Sequence, residues 1–98
     1  MNAILFPGQG VQTVGMMDSL LGSSKRAKDL FVKASEVIDV DLVELVSVDS
    51  KNLIDLTEYS QPIILASSLA LAEHHTDKAN FNFCAGLSLG EYSALVYS

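Results

Sequence analysis

The chain has 98 residues, of which 49% are hydrophobic and 18% charged, a balance typical of one small globular domain. Its net charge of −6 argues against nucleic acid as a partner, because phosphate binding requires a basic surface. The single cysteine, Cys84, excludes an internal disulfide and fits a reducing compartment. No apolar run is long enough to span a membrane, and the N-terminal apolar stretch stops at residues 7–10. We therefore expect no signal peptide, no membrane contact and a cytoplasmic location.

The N-terminal segment is predicted to be a short strand followed by a glycine-rich loop. Residues 2–6 are an apolar run that Pro7 and Gly8 end, as in a buried parallel strand. Gly8 and Gly10 flank Gln9, so the backbone there can approach a ligand or a second loop closely. This segment alone favours a plain turn over a site loop. It is not a phosphate loop, because the lysine and the spacing of that motif are missing.

The middle of the chain is predicted to be helical. Residues 14–21 favour a short helix, and Ser23 and Ser24 offer an N-cap for a second one. One face of that second helix carries its apolar residues: Ala27, Leu30, Phe31, Ala34, Val37 and Ile38. Residues 41–46 predict a short helical turn and residues 52–56 a short apolar turn.

The longest helix is predicted to begin at residue 57, with Pro62 in its first turn. Its apolar residues cover nearly the whole circumference, which is typical of a buried helix. Gln61 is the polar exception near its start and could cap the helix or support a site loop, with capping favoured. His74 and His75 at its end are expected to be exposed surface residues. No metal site is predicted, because the sequence offers no further ligands at metal spacing.

The C-terminal segment is predicted to be a strand, a sharp turn and a helix. Residues 81–85 alternate as on a strand, and the turn carries the pattern Gly86-x-Ser88-x-Gly90. A serine on such a turn is lifted out of the chain, and the amides of the following helix point to where an oxyanion would form. This favours Ser88 as a nucleophile for acyl transfer over a structural turn. Cys84 is predicted to be a small packing residue.

Three blocks of sequence, taken together, carry a family resemblance. They are Phe-Pro-Gly-Gln-Gly-Val-Gln at residues 6–12, Thr-Glu-Tyr-Ser-Gln-Pro at residues 57–62, and Ala-Gly-Leu-Ser-Leu-Gly-Glu-Tyr-Ser-Ala-Leu-Val at residues 85–96. In this order they resemble the N-terminal part of malonyl-CoA:acyl carrier protein transacylases and of the related acyltransferase domains of polyketide and fatty acid synthases. The resemblance covers essentially the whole chain, and the joint occurrence is far more specific than any one block.

The resemblance implies roles for individual residues. Ser88 matches the family's nucleophile, which carries the malonyl group as an ester. The backbone N–H groups of Gln9 and Leu89 match the two donors of the oxyanion hole, and Gln61 matches a glutamine often found near the site. The glycines of the two motifs would support the site: Gly8, Gly10, Gly86 and Gly90.

The resemblance also implies a fold and a reaction. The fold would be α/β, as part of an α/β-hydrolase-like acyltransferase core with short parallel strands, several helices and a strand–nucleophile elbow–helix unit. The reaction would move malonyl from coenzyme A to the serine and then to the phosphopantetheine thiol of acyl carrier protein, in fatty acid or polyketide synthesis. Malonyl-CoA would be a substrate, acyl carrier protein the partner, and no cofactor would be bound permanently.

The length of the chain departs from this family. Its members are several-fold longer, and their base, a histidine, and their carboxylate-binding arginine follow the nucleophile at positions that would lie beyond Ser98. We therefore expect residues 1–98 to be the N-terminal portion of a single acyltransferase domain, without an internal boundary and inactive on its own. The alternatives are a serine hydrolase, which rests on Gly86-x-Ser88-x-Gly90 alone, and a non-catalytic fragment, which rests on the absent base.

Overall fold

The computed structural model describes residues 3–75, 83–86 and 90–97, and over these residues the chain forms two strands and five helices. In chain order they are β1 (Ala3–Phe6), α1 (Asp18–Ser23), α2 (Lys25–Ile38), α3 (Leu42–Ser47), α4 (Thr57–His75), β2 (Phe83–Gly86) and α5 (Gly90–Tyr97). The α/β class is confirmed. The predicted strand residues 2, 81 and 82 lie outside the described part of the chain.

The two strands pair in parallel, with Ala3 opposite Phe83 and Phe6 opposite Gly86. Parallel neighbours require a crossover connection, and the four helices α1 to α4 lie in that connection. Because the strands run the same way, the chain leaves both of them at one edge of the sheet. The loop after Phe6 and the connection from Gly86 to α5 therefore start side by side.

The predicted N-cap of α2 is confirmed, and the predicted start of α1 is corrected. The Ser24 hydroxyl accepts from the Ala27 N–H at 3.2 Å and caps α2, as an N-cap serine does. Helix α1 begins at Asp18 and not near residue 14, because the chain turns at Gly15, whose φ is +87°. The Gly15 N–H donates instead to the carbonyl of Val46, 2.7 Å away.

The predicted apolar face of α2 is buried over only part of its length. Ala27 and Phe31 are buried in the core, whereas Val37 is 85% exposed. The difference arises because Asp39, with φ 57° and ψ 43°, ends the helix in the left-handed conformation and turns the chain into α3. There Leu42, rather than Val37, fills the position next to the core.

The core consists of two clusters that α4 joins. The larger cluster packs α1, α2 and α3 against α4 as far as Ala70, and its fully buried side chains include Phe31, Leu42 and Ile63. The smaller cluster packs β1, α4 and α5 together through five residues: Phe6, Leu69, Ala72, Ala94 and Tyr97. Helix α4 therefore contributes to both clusters, which explains why its apolar residues cover most of its circumference.

Pro62 departs from the predicted position within α4. It is the sixth residue of the helix, because α4 begins at Thr57, so it lies past the first turn. A proline there has no N–H to donate to the carbonyl of Glu58, and the helix continues without that bond. Further along the same helix, the exposed side chain of His74 confirms its predicted surface position.

Asp49 holds the connection between α3 and α4 in place. One carboxylate oxygen accepts from the Leu53 N–H at 2.8 Å and the other from the Ile54 N–H at 3.0 Å. The side chain is only 9% exposed, and its backbone adopts a φ of 54°. Two bonds to one buried carboxylate fix the segment that leads into α4.

Replacing Asp49 with alanine is expected to lower the free energy of unfolding by about 1–3 kcal/mol, because two N–H groups lose a charged acceptor. The measurement is the urea unfolding midpoint of the purified protein. Asp39→Ala is the matched control, since Asp39 has a similar φ of 57° but an exposed side chain. Equal losses in the two variants would mean that backbone conformation, and not the carboxylate, sets the effect.

Candidate active site

The candidate site lies at the edge of the sheet where both strands end. Phe6, the last residue of β1, pairs with Gly86, the last residue of β2. The Gly8–Gln9–Gly10 loop follows the first strand, and three residues connect the second strand to α5. Ligands bind beyond the carboxyl ends of strands in open α/β sheets, so this edge is where a site is expected.

Gly90, the first residue of α5, packs directly on the backbone at the end of β1. A Cβ built on Gly90 would overlap the carbonyl oxygen of Phe6 and would lie 2.8 Å from its carbonyl carbon and 3.0 Å from the carbonyl oxygen of Pro7. Only glycine therefore fits at this position. This contact joins the two motifs of the candidate site, which are about eighty residues apart in sequence.

The ring contact between Phe6 and Tyr97 holds α5 against β1 from the other end of the helix. The ring centroids are 5.6 Å apart and the planes are inclined by 56°, an arrangement that aromatic pairs prefer. Both side chains are buried, with 4% and 3% of their surface exposed. The first and last residues of α5 thus both touch β1, and the helix start is fixed relative to the glycine loop.

The glycine loop combines one buried and two exposed positions. Gly8 is buried, whereas Gln9 and Gly10 are exposed. Gly10 has a φ of +114°, which a residue with a side chain rarely adopts. The Gln9 side chain reaches across to the start of α4, where its Nε2 donates to Thr57 Oγ1 at 3.2 Å.

A second pair of hydrogen bonds ties the same loop to the segment before α4. The Gly10 N–H donates to Gln12 Oε1 at 2.8 Å, and Gln12 Nε2 donates to Asp55 Oδ1 at 3.0 Å. Sequence reasoning assigned no role to Gln12, Asp55 or Thr57. Gln12 follows Gly10 by two residues, which is a spacing that lets a side-chain amide fold back onto a backbone N–H, but nothing in the sequence points to Asp55 as its partner.

The structure places the other predicted site residues as follows. Gln61 is the fifth residue of α4, past the capping positions, and its side chain is exposed. It lies one helical turn from Thr57, so the two residues share a face of the helix, with Cβ atoms about 5–6 Å apart. Gly86 ends β2 and Gly90 begins α5. Ser88 and Leu89, between those glycines, lie outside the described residues.

Within residues 3–75, 83–86 and 90–97, no group of three histidine, cysteine or acidic side chains is arranged to hold a metal ion. Over the same part of the chain, no helix has the length and hydropathy needed to cross a membrane.

Comparison with known proteins gives one family and a set of close relatives. The family model described as acyl transferase domain matches residues 4–98. The malonyl CoA-acyl carrier protein transacylase of Staphylococcus aureus strain MSSA476 is 39% identical over 94 residues, which are 96% of this chain and 30% of that protein. The chain thus spans about a third of the length of the curated relatives it matches.

Solved structures agree with this similarity. The malonyl CoA-acyl carrier protein transacylase of Clostridium perfringens superposes with a TM-score of 0.86 at 36% identity, over 98% of this chain and 31% of that one. A malonyl-transacylase solved in complex with its type II PKS acyl-carrier protein superposes with a TM-score of 0.85 at 39% identity, over 96% of this chain and 31% of that one.

Proposed function

The chain belongs to the acyl transferase domain family, and we propose that it is the N-terminal portion of a single acyltransferase domain that transfers malonyl from coenzyme A to acyl carrier protein. The observation that carries the proposal is the contact of Gly90 with the backbone of Phe6 and Pro7, which sets the start of α5 against the end of β1, directly before the glycine loop. In sites built on a Gly-x-Ser-x-Gly turn, the oxyanion donors come from the residue after the nucleophile and from a second backbone segment. The contact of Gly90 with the end of β1 supports the glycine loop as that second segment.

The proposed roles follow the chemistry of acyl transfer. Ser88 Oγ attacks the thioester carbonyl of malonyl-CoA while a general base takes its proton. The N–H groups of Gln9 and Leu89 stabilise the oxyanion of the tetrahedral intermediate. The carbon–sulfur bond then breaks, the coenzyme A sulfur takes up the proton, and the malonyl group remains on Ser88 as an ester.

The second half of the reaction reverses the first with a different thiol. The phosphopantetheine thiol of acyl carrier protein gives its proton to the base, attacks the Ser88 ester, and leaves as the malonyl thioester with Ser88 protonated again. Gln61 would support the site from α4, and four glycines would allow the close backbone approach: Gly8, Gly10, Gly86 and Gly90. Malonyl-CoA is a substrate here, and we propose no permanently bound cofactor.

The rest of the domain would complete the α/β-hydrolase-like core and the site. Relatives are about three times as long as this chain, so we propose that the base and the group that binds the malonyl carboxylate come from the remaining part. Exposed apolar side chains support this, since Leu5 is 75%, Leu95 72% and Val96 61% exposed. Exposed apolar side chains on a strand and on a helix are surfaces that further elements of the domain would cover. The single cysteine fits a reducing compartment, and we propose that the enzyme works in the cytoplasm.

The test of this function is whether the reaction depends on its acceptor. The full-length protein that carries this chain is incubated with radiolabelled malonyl-CoA and acyl carrier protein with its phosphopantetheine arm. We expect label on the carrier protein and little free malonate. The matched control is carrier protein without the arm, which has no thiol and should receive no label.

Two outcomes would contradict the proposal. Release of free malonate at the same rate with and without carrier protein would indicate a hydrolase. Absence of label from both the enzyme and the carrier protein would indicate a non-catalytic protein.

A further inference from the structure

The side chain of Gln12 uses both of its polar ends to join the glycine loop to the chain before α4. Its Oε1 accepts from the Gly10 N–H at 2.8 Å, and its Nε2 donates to Asp55 Oδ1 at 3.0 Å. Because Asp55 carries a charge, the second bond is charge-assisted. It also polarises the Gln12 amide in the direction that strengthens acceptance from Gly10, since consecutive hydrogen bonds reinforce one another.

We propose that Gln12 and Asp55 are positioning residues that hold the Gly8–Gln9–Gly10 loop in the conformation required of the Gln9 N–H as an oxyanion donor. This inference rests on the function proposed above. Neither side chain is assigned a contact with the substrate. They act through the backbone of Gly10, the residue that follows the donor.

The loop needs such a restraint because of its composition. A glycine has access to more of φ/ψ space than any other residue, so Gly8 and Gly10 would otherwise let the segment sample many orientations. Fixing one residue costs about 1–2 kcal/mol of conformational entropy. A donor stabilises an oxyanion most when it is already oriented before the reaction. The entropy loss of ordering the loop should therefore occur during folding and not during the reaction.

The anchor of the loop is itself bonded to the core through its neighbour Ile54. Asp55 directly follows Ile54, whose N–H is bound by the buried Asp49 carboxylate and whose side chain is only 5% exposed. Thr57, two residues after Asp55, receives the Gln9 side chain and begins α4. The two hydrogen bonds that hold the loop therefore end at Asp55 and Thr57, which lie within three residues of one another on a segment packed against the core.

The chain allows a test in which donor and acceptor are exchanged. In Gln12→Glu, one oxygen of residue 12 can still accept from the Gly10 N–H, but the other faces the Asp55 carboxylate and repels it. In Asp55→Asn alone, an acceptor oxygen remains. In the double variant the new amide at position 55 can donate to the new carboxylate at position 12, which restores the connection with its direction reversed.

We expect Gln12→Glu to lower kcat for malonyl transfer by about 10- to 100-fold, which is below the effect of losing an oxyanion donor outright. The KM for malonyl-CoA should change by less than about twofold, because the effect is on the transition state. Asp55→Asn should lose little activity, and the double variant should recover to within about threefold of the unchanged protein. The measurement is steady-state transfer by the full-length protein, with urea unfolding of each variant.

Asp39→Asn is the matched control for loss of one carboxylate, since Asp39 is exposed between α2 and α3. The proposal is overturned by an unchanged kcat in Gln12→Glu, by a loss that falls on KM alone, or by a double variant no better than Gln12→Glu. The proposal is also overturned if the urea midpoint of Gln12→Glu falls so far that loss of folded protein accounts for the lower rate. The role of Gln12 would then be structural.

A separate readout distinguishes failure of this inference from failure of the proposed function. If the unchanged protein transfers no malonyl group, hydrogen exchange at the Gly10 N–H still tests the restraint. We expect exchange about tenfold faster in Gln12→Ala than in the unchanged protein, as the N–H loses its acceptor. Equal exchange rates would overturn the positioning role whatever the activity.

Discussion

Replacing Ser88 with alanine is expected to abolish the covalent malonyl-enzyme and to lower kcat by about 10⁴-fold or more, because the proposed mechanism forms the acyl ester on the Ser88 oxygen. The serine stands between Gly86, which ends β2, and Gly90, which begins α5. The measurement is intact-protein mass spectrometry of the full-length protein after a short incubation with malonyl-CoA. Transfer to acyl carrier protein is followed in parallel.

Ser93→Ala is the matched control for this experiment. Ser93 lies in α5, is fully buried, and its Oγ makes no hydrogen bond to the described part of the chain. Removing a buried hydroxyl that lacks a partner is close to neutral, so Ser93→Ala should acquire the malonyl group as the unchanged protein does. A malonyl adduct that survives Ser88→Ala would assign the nucleophile to another residue.

Replacing Gly90 with alanine is expected to lower the free energy of unfolding by about 3 kcal/mol, the upper part of the range for overpacking. The new methyl group would overlap the Phe6 carbonyl oxygen and approach the Pro7 carbonyl oxygen to 3.0 Å. These are backbone atoms at the end of β1 and just after it, and they cannot rotate away. Helix α5 must therefore move off the strand, which opens the small core cluster around Phe6 and Tyr97.

The movement should also remove malonyl transfer, since it separates the start of α5 from the glycine loop. Gly22→Ala is the matched control, because a Cβ on Gly22 in α1 meets nothing within 4 Å. Alanine is the better helix former, so this variant should gain about 0.5–1 kcal/mol. Urea unfolding of both variants gives the comparison. Equal stability of Gly90→Ala and the unchanged protein would show that the close packing is absent in solution.

Local features of this fold were predictable from the sequence, because the interactions behind them are local. Ser24 is a standard N-cap three residues before Ala27, and its bond to the Ala27 N–H forms within one turn. Asp41 caps α3 in the same local way, since its carboxylate accepts from the Glu44 N–H at 3.1 Å. Strand β1 was predictable because it is an apolar run that ends at Pro7.

The predictions that proved wrong concern the start of α1 and the buried face of α2. Both features depend on parts of the chain that are distant in sequence. Before α1 the chain turns at Gly15, whose φ is +87° and whose N–H donates to the Val46 carbonyl, 31 positions away. The exposure of Val37 depends on how the chain turns at Asp39 to bring Leu42 to the core. Helical spacing identifies an apolar face but not how far along the helix a neighbour covers it.

The candidate site also has some features that the sequence predicts and others that only the tertiary structure shows. The sequence by itself determined the two glycine motifs, with Gln9 in one and Ser88 in the other, since a glycine at a sharp turn is recognisable from its neighbours. Only the tertiary structure decided that Gly90 lies on the Phe6 backbone and that Gln12 bonds to Asp55. These contacts join residues 84 and 43 positions apart, and a parallel pairing with a helical crossover sets them. No local pattern of residues encodes that register.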